Sequence, residues 1–241
     1  MHYLKALIEP ASLYSMRLPY THQSALTYPL PPPSTILGML AAAVQRAENR
    51  VPLECLAEIE AGVDFCAALV DQDTPIVARS CVVSLITRIR SAGGGKVTDA
   101  LPRQFAHTHR VTVVALSEDE ALLARAAEAL RRAPVTLGGS ESLAAMAQVE
   151  VGRARASSLA QRDEICTRAY VPRDLLDLGS LRSHHSLFWV HQRCLGAEEL
   201  VAYLYPLTLD GHLYHPTPIT GQLTRPASRY DLAGEPVFVA P

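Results

Sequence analysis

Six basic side chains stand between residues 75 and 110: Arg79, Arg88, Arg90, Lys96, Arg103 and Arg110. One acid, Asp99, lies among them, so the stretch carries net +5. The whole chain carries −2, which leaves −7 on the remainder. A cationic segment on an anionic body gathers a polyanion at one place and repels it elsewhere; a solvated face with chance enrichment is the plain alternative. His107 and His109 share this stretch, and His-x-His on a strand puts both rings on one face, where they can donate to phosphate. The alternative for that pair is a strand edge facing solvent. Arginine outnumbers lysine twenty to two. Guanidinium binds phosphate through two parallel bonds and stacks on bases, which suits RNA, although a biased genome or a hot habitat gives the same ratio.

A second constellation is Gly138-Gly139-Ser140-Glu141-Ser142. It misses the Gly-x-Ser-x-Gly elbow at its last position, and an alternating strand pattern follows where an elbow needs a helix. A serine hydrolase is therefore disfavoured. The backbone amides and the Ser140 and Ser142 hydroxyls can instead cradle a phosphate, or the run is a glycine turn joining two strands. Two local groups stand out among nine histidines, His107/His109 and His184, His185 and His191, and neither is read as a metal-ligand set. No metal and no small-molecule cofactor is expected. A metal-independent ribonuclease needs a base, an acid and a cation at the scissile phosphate. Tyr28, Lys96, His107 and His109 supply those types, but nothing in the sequence brings them together.

These residues must be positioned by a mixed fold. His2 to Ile8 reads as a buried strand ended by Pro10. An irregular stretch follows to Pro31-Pro32-Pro33, a run that holds the chain extended. Ser34 or Thr35 is the expected cap of a helix whose Ile36, Leu37, Leu40, Ala41 and Val44 recur at helical spacing. The free amides of that helix start, with Ser34, are a further candidate phosphate contact. Gly38 inside the helix costs about 1 kcal/mol against alanine, which suggests a close neighbour or ligand.

Val63 to Val70 reads as a second strand buried on both faces. Ile76–Ile89 and roughly Arg103–Arg110 read as the arms of a projecting hairpin around Gly93-Gly94-Gly95. Val111 to Leu116 returns as a core strand. Ser117-Glu118-Asp119-Glu120 is a capping box for a helix ending at Arg131-Arg132 and stopped by Pro134. Val135–Leu137 is a short strand, and Ala145, Ala147, Val149 and Val151 alternate as the buried side of another. In order, residues 1–151 give βαββαβ with a basic insertion between the second and third strands, an α+β ferredoxin-like or RRM arrangement. In the remaining 90 residues, Leu187–Val190 reads as a buried strand. Val201 to His215 reads as a hairpin turning at Asp210-Gly211. Five prolines from Pro216 onward make an irregular tail.

At 241 residues the chain is long enough for one large domain or two small ones with a real core. Its hydrophobic fraction of 49% and charged fraction of 19% are globular, not disordered. The longest apolar stretch, Ile36 to Val44, is far short of the roughly 20 residues a membrane helix needs. No basic-then-apolar leader opens the chain. Cys55, Cys66, Cys81, Cys166 and Cys194 form no Cys-x-x-Cys pair, which argues against a zinc ribbon or a disulfide framework. The expectation is a cytoplasmic protein without a membrane partner.

The run Leu26-Thr27-Tyr28-Pro29-Leu30-Pro31-Pro32-Pro33-Ser34-Thr35-Ile36-Leu37-Gly38-Met39-Leu40 resembles the amino-terminal signature of the CRISPR-associated Cas5 family, of the RAMP superfamily. Pro134-Val135-Thr136-Leu137-Gly138-Gly139-Ser140-Glu141-Ser142-Leu143 resembles its second signature. The wording Gly-Gly-Ser-Glu-Ser-Leu leans toward the archaeal type I-A branch, with type I-D next. The resemblance covers about 1–151. It implies an RRM-like domain over 1–155 with a thumb hairpin near 75–110, and a smaller β-rich part over 156–241. It also implies a non-catalytic subunit of a type I Cascade complex. Such a subunit holds the 5′ handle of the CRISPR RNA (crRNA) beside the large subunit and the first backbone subunit. The residues expected to grip the handle are Arg79, Arg88, Arg90, Lys96, Arg103, His107, His109, Arg110, Ser34, Gly138, Gly139, Ser140 and Ser142. In one branch of the family this subunit itself cuts precursor RNA; that branch's catalytic residues have no match here and lysine is almost absent, so cleavage is not expected, and a metal-independent endoribonuclease is the second reading on the strength of His107 and His109 beside the basic cluster.

Overall fold

The computed structural model describes residues 1–21, 25–88, 96–139, 142–196 and 200–239, with backbone alone at 84–88 and 96–100. The first part runs β1 (His2–Pro10), α1 (Pro33–Glu48), α2 (Pro52–Gly62), β2 (Phe65–Leu69), β3 (Ile76–Arg88) and β4 (Lys96–His107). It continues through β5 (Val111–Ser117), α3 (Glu120–Arg132), β6 (Val135–Thr136) and β7 (Leu143–Arg153). The architecture is α+β, rich in strands, with three α-helices among the described residues. One antiparallel sheet takes the order β2-β5-β1-β7-β6. Its β1 buries Leu4, Ala6 and Ile8 completely, the period-two side of a strand that meets α3, while α1 packs on α3, β2 and β6 of the same sheet. Ile36, Leu37, Leu40 and Val44 of α1 and Leu123, Ala126 and Leu130 of α3 close the same core.

Several local expectations change. Helix α1 starts with Pro33 at its first position and has no side-chain cap, so Ser34 is inside the first turn and not the cap. Proline is pre-set for that place because its missing N–H would be unpaired there in any case. Around Gly38 the nearest atom to a would-be Cβ is the Cys194 sulfur at 4.0 Å, an ordinary contact instead of the close approach expected. Helix α2 had no counterpart in the sequence reading, because only Cys55 and Ile59 of it are buried. The cap of α3 is Asp119, whose Oδ1 accepts the Leu122 N–H at 2.9 Å. Ser117 stays in β5, donates to the Gly62 carbonyl and accepts the Asp119 N–H. In β7 the pairing with β1 jumps from Leu7–Gln148 to Ile8–Met146, a bulge at Ala147. The bulge reverses the phase: Val149 and Val151 lean on the core as expected, but Ala144 and Met146 replace Ala145 and Ala147.

The second part is more regular than its prolines suggested. It holds β8 (Arg155–Leu159), β9 (Glu164–Thr167), β10 (Val171–Pro172), β11 (Ser186–Val190) and β12 (Val201–Tyr205). Then come β13 (Leu207–Asp210), β14 (Leu213–Pro216), β15 (Ile219–Gln222), β16 (Ala227–Leu232) and β17 (Glu235–Val239). The expected irregular tail is thus a hairpin, β16–β17, turning at Ala233-Gly234 with both residues left-handed. Pro236 is tolerated because β17 is an edge strand. The expected hairpin from Val201 splits at Pro206: β12 joins β10 and β11, while β13 and β14 pair across Gly211-His212 and continue onto β3. Strand β11 is buried on one face only, since Leu187 and Trp189 are largely exposed. Tyr203, Tyr205, Leu207, Tyr214, Leu232 and Val237 enter the same core as the first sheet.

The irregular chain between β1 and α1 is held by single bridges: Tyr14 to Ala106, Ser15 to Gly138, Arg17 to Thr27 and Ala25 to Arg103. Gly138 has φ +82°, and a Cβ there would sit 2.5 Å from the Ser15 carbonyl oxygen. Gly138→Ala should therefore cost at least about 2 kcal/mol, left-handed strain plus a backbone clash. Gly234→Ala, at φ +91° with open space around it, should cost only the strain, about 1–2 kcal/mol. Urea unfolding of both variants checks this, and equal costs would show that the Ser15 bridge does not constrain the fold. Burial and the neighbouring His184 hold the His185 imidazole below the usual histidine range. The unfolded chain therefore takes up that proton first, and stability should fall as pH drops through about 6.5, the unfolded value. In a His185→Asn variant this acid-side loss should shrink, read as a flatter stability profile between pH 7 and 5.

Candidate nucleic-acid interface

Strands β3 and β4 form one uninterrupted antiparallel ladder from Val77–His107 to Arg88–Lys96. The expected second arm, near Arg103–Arg110, therefore begins seven residues earlier, at Lys96. The hairpin is inserted between β2 and β5 of the main sheet. Its root is fixed by the buried Ile76, Ala78 and Ala106 and by β14, which pairs with Ile76 and Val77. Arg88 and Lys96 are register partners at the far end of the ladder, so two basic positions face each other there. Arg90 and the glycine tip lie outside the described residues, as does Ser140.

Nearer the root, directly opposed residues share one face of the ladder: Val83–Leu101, Cys81–Arg103, Arg79–Phe105 and Val77–His107. Arg79 is exposed. The Arg103 guanidinium lies 5.2 Å from the centre of the Phe105 ring, and its Nε donates to Ser15 Oγ at 3.2 Å. The Arg103 Nη2 comes within 3.5 Å of where a Gly139 Cβ would be. Arg79, Arg103 and the Gly138-Gly139 turn are thus brought together, with Phe105 and Ser15 as members the sequence reading missed. Phe105 was findable, being two residues from Arg103 on a strand. Ser15 was not, because nothing local marks it as a bridge residue.

The Gly138–Ser142 turn closes on itself. Leu137 N–H donates to the Ser142 carbonyl at 2.8 Å and Ser142 N–H to the Gly139 carbonyl at 3.0 Å. Ser142 is buried and its hydroxyl donates to the Leu13 carbonyl at 3.1 Å, so that hydroxyl is committed inside the protein. The Ser34 amide is likewise committed: it donates to the His191 carbonyl at 3.3 Å, and Ile36 N–H goes to the Pro32 carbonyl. The start of α1 therefore does not present the bank of free amides expected of it.

His107 and His109 do come together, with ring centres 5.9 Å apart and edge-to-face. The Nδ1 of His107 is buried without a partner among the described residues. His109 and Arg110, however, open onto a cavity of about 430 Å3 that also carries Glu9 and Asp71. Arg110 Nε lies 3.1 Å from Glu9 Oε1, so its charge is already paired. These two residues stand apart from the Arg79–Arg103 face, beside carboxylates that disfavour a phosphate. Among the described residues no three His, Cys, Asp or Glu side chains converge as a metal site, and no helix is long and apolar enough to cross a membrane.

The sequence and the fold are similar to those of known proteins. The family described as "CRISPR-associated protein (Cas_Cas5)" matches residues 10–182. A CRISPR-associated protein Cas5 of Thermoproteus tenax is 29% identical over 164 residues, which span 64% of this chain and 69% of that protein. A CRISPR protein from Archaeoglobus fulgidus has a similar fold over 100% of both chains, with a TM-score of 0.61 at 14% identity. A chain of the Type III-B Cmr-beta structure bound to cognate target RNA and AMPPnP matches 90% of this chain and 86% of its own, with a TM-score of 0.51 at 10% identity. The family match takes in the proline run, the basic hairpin and the glycine turn together, and the chain belongs to the CRISPR-associated Cas5 family.

Proposed function

We propose that the chain is a non-catalytic subunit of a type I CRISPR Cascade complex that binds the 5′ handle of crRNA, with the backbone and large subunits as its protein partners. One observation carries the reading: in a member of the Cas5 family, the segment 76–107, with five basic residues and one acid, supplies a long β3–β4 ladder between β2 and β5 in the order of a chain whose remainder is anionic. Such a hairpin attracts a phosphate backbone to one place. Arg79 and Arg103 flank Phe105 on one face, which offers guanidinium planes and an aromatic ring to unstacked bases. The sheet order β2-β5-β1-β7, with helices between β1 and β2 and between β5 and β7, supports a ferredoxin-like βαββαβ core, the hairpin taking the place of a thumb. The Gly138-Gly139-Ser140-Glu141-Ser142-Leu143 run supports a type I-A assignment within the family.

A metal-independent endoribonuclease is the second reading, favoured by the pairing of the His107 and His109 rings. Glu9 and Asp71 beside His109 weigh against it, since they repel the scissile phosphate. Incubation of the purified protein with repeat RNA in EDTA separates the two: intact RNA over hours is expected, and defined cleavage would favour the enzyme.

The binding role is tested by Arg88→Ala with Arg90→Ala. Loss of two phosphate contacts should weaken handle-RNA binding and make the slope of log K against log salt shallower by about 1.4. Unchanged affinity and slope would contradict the thumb role.

A further inference from the structure

A cavity of about 330 Å3 lies between the irregular chain after β1 and the start of α1. Arg17, Pro19 and Tyr20 form one wall, Pro32 and Thr35 another, and His191 reaches in from the segment after β11. Among the described residues no carboxylate lines it. Tyr20 is 75% exposed on a left-handed backbone (φ 63°), next to Thr21, whose carbonyl accepts from Arg17 Nη2 at 2.8 Å. His191 Nδ1 is buried and has no partner among the described residues. Tyr28 also borders the cavity, but its hydroxyl is spent on the Trp189 carbonyl at 2.5 Å. That bond places the end of β11 against the cavity.

Two residues before His191, Trp189 is 56% exposed, and alternation turns it away from the inward Phe188 and Val190. The two positions are thus about 7 Å apart along extended chain. Together these features offer an exposed phenol beside prolines, an imidazole nitrogen without a partner, an arginine without a carboxylate, and an exposed indole one step away. A nucleotide has a base with faces for the rings and an edge for His191 and the Thr35 hydroxyl, and a phosphate for Arg17.

We propose that this cavity receives an unpaired base of a single-stranded RNA, with Tyr20 stacked on it, and that Trp189 carries the neighbouring base. This subsite is separate from the hairpin and rests on the reading that the chain binds RNA. It adds base stacking, which tolerates any sequence, to the charge attraction of the hairpin.

Trp189 is the single tryptophan of the chain, so its emission reports this site alone. The purified full chain is titrated with single-stranded repeat RNA, followed by tryptophan emission and by fluorescence polarisation of the labelled RNA. Emission is expected to be quenched with the same midpoint as binding. Tyr20→Ala removes an exposed ring and so leaves folding intact; it should weaken binding by about 5- to 150-fold while leaving the salt slope unchanged. The Arg88→Ala, Arg90→Ala variant should do the reverse, flattening the slope while still quenching fully at saturation. RNA binding with unchanged emission, or wild-type affinity in Tyr20→Ala, overturns the subsite and leaves the RNA reading standing. Absence of any RNA binding overturns that reading and the subsite with it.

Discussion

The prolines at 29 and 31 to 33 supply carbonyls without matching N–H groups, in a segment that is buried. The start of α1 serves Pro32 through the Ile36 N–H, but the carbonyls ahead of the helix would cost about 1–3 kcal/mol each if left unsatisfied, so the donors to Pro29 and Pro31 come from elsewhere in the chain. Tyr14 donates to the Pro29 carbonyl at 2.8 Å, Tyr170 to Pro31 at 3.2 Å, and the Cys66 thiol to Pro33 at 3.4 Å. Burial pushes all three groups upward from their ordinary pKa values, the Cys66 thiol to about 12, which keeps them protonated as donors. One donor comes from the exit of β1, one from the second half of the chain and one from β2. The proline run is therefore the point at which three regions are tied to the start of α1.

That tie also fixes the root of the hairpin. With Pro29 held, Tyr14 and Ser15 on one side and Ala25 and Thr27 on the other meet β4 and Gly138: Tyr14 and Ala106 exchange backbone bonds, and the Gln104 side chain accepts from Thr27 N–H. Arg103 projects from this braced portion of β4 toward Ser15 and the glycine turn. Among the described residues the far end of the hairpin is paired within its own ladder, and the charge along the sequence is densest there. A firm root with a cationic reach beyond it suits a long polyanion, because the root sets direction while phosphate attraction needs no exact fit. Tyr170 stacks on Tyr205 at 4.9 Å, and Phe188 packs edge-on against Tyr205 and Tyr28, so the second half of the chain buttresses the same root.

Much of the first half was legible. Beta strands with one buried face, the capped α3 and the paired arms of the hairpin all follow from local periodicity and turn chemistry. What failed did so where tertiary contacts overrode local signals. Helix α2 buries only Cys55 and Ile59, too few positions to set a period. The bulge at Ala147 flips a phase that alternation alone must carry through. In the second half, prolines read as breakers sit instead at strand ends and on an edge. At the site, composition found the basic stretch, but not that Glu9 had already claimed Arg110, nor that Ser142 and the Ser34 amide were committed internally. Those are long-range pairings, and sequence spacing carries no record of them.

The central claim is that RNA lies along β3 and β4 in preference to the anionic body. Ultraviolet cross-linking of the chain to handle RNA, followed by mass spectrometry of the peptide–nucleotide adducts, locates the contact directly. Adducts concentrated between Arg79 and Arg103 and in the 137–143 turn are the result this account predicts. Adducts confined to the strands after β8, with none on the hairpin, would contradict it.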